Sequence, residues 1–133
     1  MRFLILLTPD ENWRDDVHFH NQPYMPEHAV YVQGFFNKGN VILAGPFGDL
    51  SGGAIVVDFE REEEVMMFVK NDPTVMKGIF TYEVKRWGEG MSKFEHKNPD
   101  FGQEYLDFKH RRQKELGISE ETFQSLHLRH SKI

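Results

Sequence analysis

The sequence contains no cysteine, and this absence excludes several kinds of chemistry at once. A chain without cysteine forms no disulfide bond, binds no zinc through thiolates and offers no thiol nucleophile. Long apolar runs are also missing near the start, because residues 3–7 are too few for a signal sequence or a membrane span. We therefore expect a cytoplasmic protein with no membrane partner.

Basic residues are scarce relative to acidic ones. The chain has 16 Lys and Arg against 21 Asp and Glu, a net charge of −5, and no basic cluster joined to aromatic side chains. Such a chain gives a polyphosphate little electrostatic reason to bind, so we expect no nucleic-acid partner. It does contain 12 Phe in 133 residues, which is enough for a sizeable core in one compact domain.

Short apolar runs bounded by turn residues predict four strands. They are expected over residues 2–8, 41–44, 54–59 and 79–87, the last with strict alternation of apolar and polar side chains. Residues 9–24 show neither helical nor strand periodicity and are expected to form a long loop.

Two helices are predicted between these strands. The second begins at Arg61 and ends near Asp72. The first opens at Pro26 and ends at Gly39. Its expected apolar stripe consists of Met25, Ala29, Val32 and Phe36. Val30 and Phe35 flank this stripe.

The resulting order of strand, helix, strand, strand, helix, strand predicts an α+β protein with the ferredoxin-like βαββαβ fold. Right-handed crossovers then give the strand order 4-1-3-2 with every neighbouring pair antiparallel. We assign this domain to residues 1–87 and a polar, helical C-terminal extension to residues 88–133.

In the extension, Asn98 and Pro99 predict the start of a helix that continues to about Leu116 and stops at Gly117. A shorter helix is expected to begin at Ser119.

The two central strands are continuously apolar, which predicts that both faces of the sheet are covered. Two helices can cover only one face, so the other face must meet either the C-terminal segment or a second copy of the sheet, and the second copy is the simpler solution. We therefore expect a homodimer in which two sheets pack face to face across a two-fold axis.

Asp72 stands where the apolar stripe of the second helix calls for another hydrophobic residue, at a helix end that disfavours negative charge. The predicted topology brings it to the same end of the sheet as His28, in the first turn of the first helix. A carboxylate that fixes the tautomer of a neutral imidazole makes the imidazole a general acid/base, so we predict that both residues are catalytic. The alternatives are a turn cap for Asp72 and a packing role for His28.

Long loops at the same end of the sheet supply further candidates. Arg14 could hold an anionic group of a substrate. The residues that we assign to substrate binding are Arg14, Tyr24, Gly45, Pro46, Phe47 and Ser51. His18 and His20 could join His28 in a three-histidine metal site, but loop histidines without a ligand role are the preferred interpretation. We expect neither a metal nor an organic cofactor.

Five stretches together resemble the YciI-like (YCII-related) family over residues 1–87. They are FLILLTP, PEHAVYV, GNVILAGPF, GGAIVVDF and NDPTVMKGIFTYEVKRW. The resemblance implies a dimeric α+β barrel with a His–Asp pair, which corresponds to His28 and Asp72. It also implies an aromatic residue after the Asp-Pro pair, where this chain has Thr74.

The best-understood members of this family act on products of aromatic-ring degradation, and one is a dehydrochlorinase. The wider fold group includes muconolactone isomerases. We therefore expect a small-molecule enzyme without a cofactor that moves a proton on a small organic acid, by isomerisation or elimination. The alternative is a non-catalytic ligand-binding or regulatory homodimer.

Overall fold

One antiparallel sheet of four strands organises the first 88 residues. The computed structural model describes residues 1–94 and 98–118, which fall into two compact units, Met1–Gly88 and a second that begins at Glu89. The strands are β1 (Arg2–Pro9), β2 (Val41–Pro46), β3 (Gly53–Asp58) and β4 (Phe80–Arg86). Their order, β2-β3-β1-β4, is the predicted one, and β1 pairs antiparallel with both β3 and β4.

Three helices of the first unit complete this α+β, ferredoxin-like fold: α1 (Met25–Asn37), α2 (Glu62–Lys70) and α3 (Pro73–Met76). β1 and β3 alternate, so that Phe3, Ile5 and Leu7 are buried while Leu4 and Leu6 are partly exposed. The buried core consists of Phe3, Ile5, Leu7, Phe19, Met25, Val32, Val41, Ile55, Val57, Phe59, Val65, Phe68, Val69 and Phe80.

Strand β2 is longer than the sequence predicted, because Gly45 and Pro46 belong to it. Pro46 pairs with Gly53 at the far end of the ladder. A proline is tolerated there because β2 is an edge strand, where a missing N–H need not break a ladder hydrogen bond. The remaining connection between β2 and β3 is therefore shorter than expected.

The apolar stripe of α1 also differs from the predicted one. Phe36 and Val30 are exposed, with 57% and 72% of their surfaces accessible, and Ala29 is exposed too. Tyr31 and Phe35 pack against the core beside the buried Val32. The stripe therefore runs through His28, and the imidazole faces the sheet directly.

The face of the sheet opposite the helices remains apolar in part. Leu4 pairs with Val56, and Val56 with Leu43, while Leu6 pairs with Ala54 in the next row. All five are partly or largely accessible, and Leu43 exposes 61% of its surface. The prediction that a second copy covers this face stays a prediction.

The second unit contains one long helix among its described residues, α4 (Gln103–Glu115). Its N-cap is Gly102, so the predicted start at Asn98 and Pro99 is wrong, because an Asn-Pro pair is as compatible with a turn as with a helix start. Gly117 follows the helix with a φ of 78°, as predicted for a helix stop. The helix expected from Ser119 lies outside the described residues.

Within residues 1–94 and 98–118, no helix has the length and apolar character needed to cross a membrane.

Candidate active site

His28 is held in the first turn of α1 with its ring turned toward the core. Pro26 sits in the first turn of the helix, and the His28 N–H donates to the carbonyl of Tyr24, 2.9 Å away. The imidazole contacts the edge of Phe80, with ring centroids 6.0 Å apart, and its side chain is 18% exposed. His28 is thus packed without being sealed from solvent.

Asp72 lies between α2 and α3 and is buried. Its Oδ2 is 2.6 Å from His28 Nδ1. Its Oδ1 accepts hydrogen bonds from the backbone N–H and the hydroxyl of Thr74, at 2.9 and 2.6 Å. The carboxylate therefore caps α3 with one oxygen and pairs with His28 through the other.

This arrangement resolves the conflict between Asp72 and the helix dipole. The predicted second helix ends as α2 at Lys70, a separate helix α3 follows it, and Asp72 is the N-cap of α3 rather than the last residue of α2. A helix N-terminus favours a negative charge, which removes the expected penalty. The capping alternative and the pairing with His28 thus hold together.

Thr74 explains how Asp72 is kept in one orientation. It is fully buried, and its hydroxyl oxygen lies 3.4 Å from His28 Nδ1 as well as 2.6 Å from Asp72 Oδ1. Two donors from the same residue hold one carboxylate oxygen, so the other oxygen faces the imidazole.

The hydrogen bond to Asp72 determines which ring nitrogen of His28 carries the proton when the imidazole is neutral. A carboxylate accepts hydrogen bonds, so the neutral imidazole carries its proton on Nδ1 and keeps a lone pair on Nε2. Nε2 has no hydrogen-bond partner among the described residues.

Tyr31 lies close enough to Asp72 to be affected by its charge. Partial burial, with the Asp72 carboxylate as the second cause, raises the pKa of Tyr31 to about 12. Its hydroxyl donates to the carbonyl of Phe68 at 2.7 Å, and the two rings are stacked. Tyr31 therefore stays neutral at physiological pH and acts as a structural donor between α1 and α2.

A cavity of about 270 Å³ lies beside His28. Its walls come from the helix, the sheet and the loop before α1, with apolar side chains that include Leu7, Phe19, Met25, Val32, Ile55 and Phe80. Among the described lining residues, His20 and His28 alone carry polar side chains. An apolar cavity with a few convergent polar groups is the usual form of a small-molecule site.

Two of the predicted substrate-binding residues line this cavity, namely Gly45 and Pro46 at the end of β2. Arg14, Tyr24, Phe47 and Ser51 are not among the described lining residues.

Three of these residues make other contacts. The guanidinium of Arg14 is exposed and pairs with Asp16 at 2.7 Å. The ring of Tyr24 lies under the ammonium group of Lys77, 5.6 Å from its centroid. Ser51 donates its hydroxyl hydrogen to Asp49 at 2.6 Å.

The loop before α1 has more structure than the sequence predicted. A 3₁₀ turn, Phe19–Asn21, brings buried Phe19 against Trp13 and Phe80, with ring centroids 5.6 and 6.0 Å apart. The buried amide of Gln22 accepts from Arg14 N–H at 2.9 Å and donates to the carbonyls of Arg14 and Val17 at 2.6 and 2.9 Å. The loop is therefore a fixed wall of the cavity.

The three candidate metal-binding histidines do not form a metal site as a group. The rings of His18 and His20 lie side by side, with centroids 5.4 Å apart. In the part of the chain that the structure describes, no three His, Cys, Asp or Glu side chains are grouped so that they could hold a metal ion.

The fold, the paired histidine and aspartate, and the cavity between helix and sheet place the chain in a class of α+β proteins. Residues 1–88 match the model of the YCII-related domain, so the chain belongs to the YCII-related family, as its sequence indicated. The uncharacterized protein YjpA of Bacillus subtilis is 28% identical over 67 residues, which cover 50% of this chain and 79% of YjpA.

A solved structure is similar over a longer part of the chain. It is 5-chloro-2-hydroxyhydroquinone dehydrochlorinase (TftG) from Burkholderia phenoliruptrix, in complex with 2,5-dihydroxybenzoquinone. The match has a TM-score of 0.53 and 28% sequence identity, and it covers 68% of this chain and 96% of TftG.

Proposed function

We propose that this protein is a small-molecule enzyme in which His28, oriented by Asp72, removes and returns a proton on an oxygenated ring compound derived from aromatic degradation. The observation that carries the proposal is the 2.6 Å contact between His28 Nδ1 and Asp72 Oδ2 beside an apolar cavity. The pair leaves Nε2 available for proton exchange, which is what general acid/base catalysis requires.

The likeness to TftG supports a reaction of the elimination or isomerisation type. In an elimination, His28 Nε2 would accept the substrate proton, the electron pair of the broken bond would form the new double bond, and the leaving group would depart as an anion. Such a step needs no oxidant and no cofactor.

The cavity lining narrows the substrate class that the sequence suggested. Arg14 was expected to hold an acidic group, but it pairs with Asp16 in solvent, and the described lining contains neither Lys nor Arg. The carboxylate group of an organic acid would therefore meet no fixed cation among the described residues of the cavity wall. We therefore favour ring compounds whose polar groups are hydroxyl and carbonyl oxygens.

The proposed function can be tested by measuring the release of chloride from 5-chloro-2-hydroxyhydroquinone, the compound that appears in the name of TftG. The wild-type protein should release chloride, and His28→Gln should slow the release by a factor of about 100 or more. His18→Asn is the matched control, because His18 is exposed and does not line the cavity. A His28→Gln variant that is as active as the wild type would refute the role of His28.

The alternative is a ligand-binding protein without catalysis. It predicts that 2,5-dihydroxybenzoquinone binds in the cavity while neither chloride release nor isomerisation occurs in the wild-type protein. Calorimetric titration beside the chloride assay separates the two functions.

We also propose that the protein is a homodimer. The supporting observation is the accessible apolar face of the sheet formed by Leu4, Leu6, Leu43, Ala54 and Val56. Face-to-face packing with a second sheet would remove this surface from water.

A further inference from the structure

His20 is the second polar side chain of the cavity, and the proton transfer described above gives it no part. It lines the same cavity as His28, yet it is exposed, so it stands where the cavity meets solvent. The two imidazoles are linked through aromatic contacts. His20 lies on the edge of Phe19 at 5.2 Å, and His28 lies against Phe80 at 6.0 Å.

The position of His20 is fixed by its neighbours in the 3₁₀ turn. Phe19, directly before it, has only 8% of its surface accessible, and it anchors the turn in the core. His18 Nδ1 accepts a hydrogen bond from the His20 N–H at 3.3 Å, and Gln22 ties the end of the turn to the preceding loop. Because the backbone of the turn is constrained, the accessible ring of His20 can meet a bound ligand from a defined position.

We propose that His20 contacts the ligand and donates a hydrogen bond to the oxygen that becomes negative when His28 removes a proton. The inference rests on the proposed function of His28. The proton passes to His28 Nε2, the electron pair of the broken bond moves through the conjugated ring to a carbonyl oxygen, and the N–H of His20 stabilises that oxygen. In an elimination, this pair then returns to form the new double bond while the leaving group departs as an anion. No further reactant is needed.

Two imidazoles in an otherwise apolar lining point to a ligand with two oxygens on one conjugated ring. One oxygen, or the carbon beside it, would face His28, and the other would face His20. A cavity of about 150 Å³ is sufficient for benzene. The larger volume of about 270 Å³ leaves room for such oxygen substituents.

Titration with 2,5-dihydroxybenzoquinone, followed by imidazole resonances in ¹⁵N–¹H spectra and by calorimetry, tests the proposal. Resonances of both His20 and His28 should move. His20→Gln should weaken binding by about threefold to tenfold, the usual contribution of one hydrogen bond. His18→Asn is the matched control, because it keeps a side-chain acceptor for the turn and should bind the probe like the wild type.

The remaining outcomes separate His20 from His28. Movement of His28 alone, with wild-type affinity in His20→Gln, would overturn the role of His20 and leave the proposed function standing. If the His20 resonance alone shifts, the probe does not bind between the two histidines, and this proposal is wrong. If neither resonance moves at millimolar probe, both the proposed ligand class and the role of His20 are wrong.

Discussion

His28 Nδ1 and Asp72 Oδ2 lie 2.6 Å apart although 44 positions separate the two residues in the chain. The contact joins the start of α1 to the start of α3, two elements that the βαββαβ topology brings to one end of the sheet. Because Thr74 holds the second oxygen of Asp72, the geometry of the pair depends on a third residue that is buried beside it.

Thr74→Val should weaken the pair. The substitution keeps the side-chain shape but removes the hydroxyl that donates to Asp72 Oδ1, leaving a buried carboxylate with one donor fewer. We expect the free energy of unfolding to fall by roughly 1–3 kcal/mol in denaturant titrations. Thr74→Ser keeps the hydroxyl and should keep the wild-type tautomer of His28. A Val variant as stable as the wild type would show that this hydrogen bond contributes nothing.

Tyr31 should make stability depend on pH in the alkaline range. Its pKa is raised from 10.0 to about 12 in the folded state, so between these values the folded protein holds a proton that the unfolded chain has lost. The contribution of Tyr31 is therefore complete below about pH 10 and is lost as the pH rises through about 12. Denaturant titrations of wild type and Tyr31→Phe measure it: the wild type should lose more stability across this interval. Equal losses would contradict the assignment.

Asp72→Asn should change the titration of Tyr31, because the Asp72 charge is the second cause of its raised pKa. Tyrosinate absorbance should then develop at lower pH in the variant than in the wild type. An unchanged titration would mean that burial alone raises the pKa.

Gln22→Ala should loosen the loop that carries His20. The buried amide makes three hydrogen bonds to the loop backbone, so its loss should lower the free energy of unfolding by roughly 1–3 kcal/mol. The matched control is Gln33→Ala on the exposed side of α1, which should stay within about 0.5 kcal/mol of the wild type. Equal effects of the two substitutions in urea titrations would contradict the role of Gln22.

Val56→Lys should disrupt the proposed dimer, because it places a charge at the centre of the apolar face between Leu4 and Leu43. Light scattering after size exclusion should give the mass of two chains for the wild type and of one for the variant. Val30→Lys, at an exposed apolar position on α1, should remain dimeric. A monomeric wild type would refute the homodimer.

The fold could be predicted because its strands and helices carry regular apolar patterns. Phe80, Tyr82 and Val84 alternate along β4, and the order of the elements leaves few topologies once crossovers are right-handed. The placement of His28 and Asp72 at one end of the sheet follows from that topology.

The rest of the site depends on contacts that have no local signature in the sequence. The anchoring of Phe19 and the hydrogen bonds of Gln22 lie in a loop without periodicity, so the sequence does not reveal them. Without these contacts, the sequence cannot show which of Arg14, His18 and His20 faces the cavity. The alternation of His18, Phe19 and His20 did contain a signal, because a phenylalanine between two polar residues indicates an anchor with flanking exposed side chains.

The tautomer of His28, observed in long-range ¹⁵N–¹H correlation spectra of the imidazole ring, tests the central claim most directly. We predict that the neutral ring carries its proton on Nδ1 in the wild type and shifts toward the Nε2-protonated form in Asp72→Asn, because an amide oxygen is a weaker acceptor than a carboxylate. A wild-type ring protonated on Nε2, or a tautomer that Asp72→Asn leaves unchanged, would contradict the account that Asp72 prepares His28 for proton transfer.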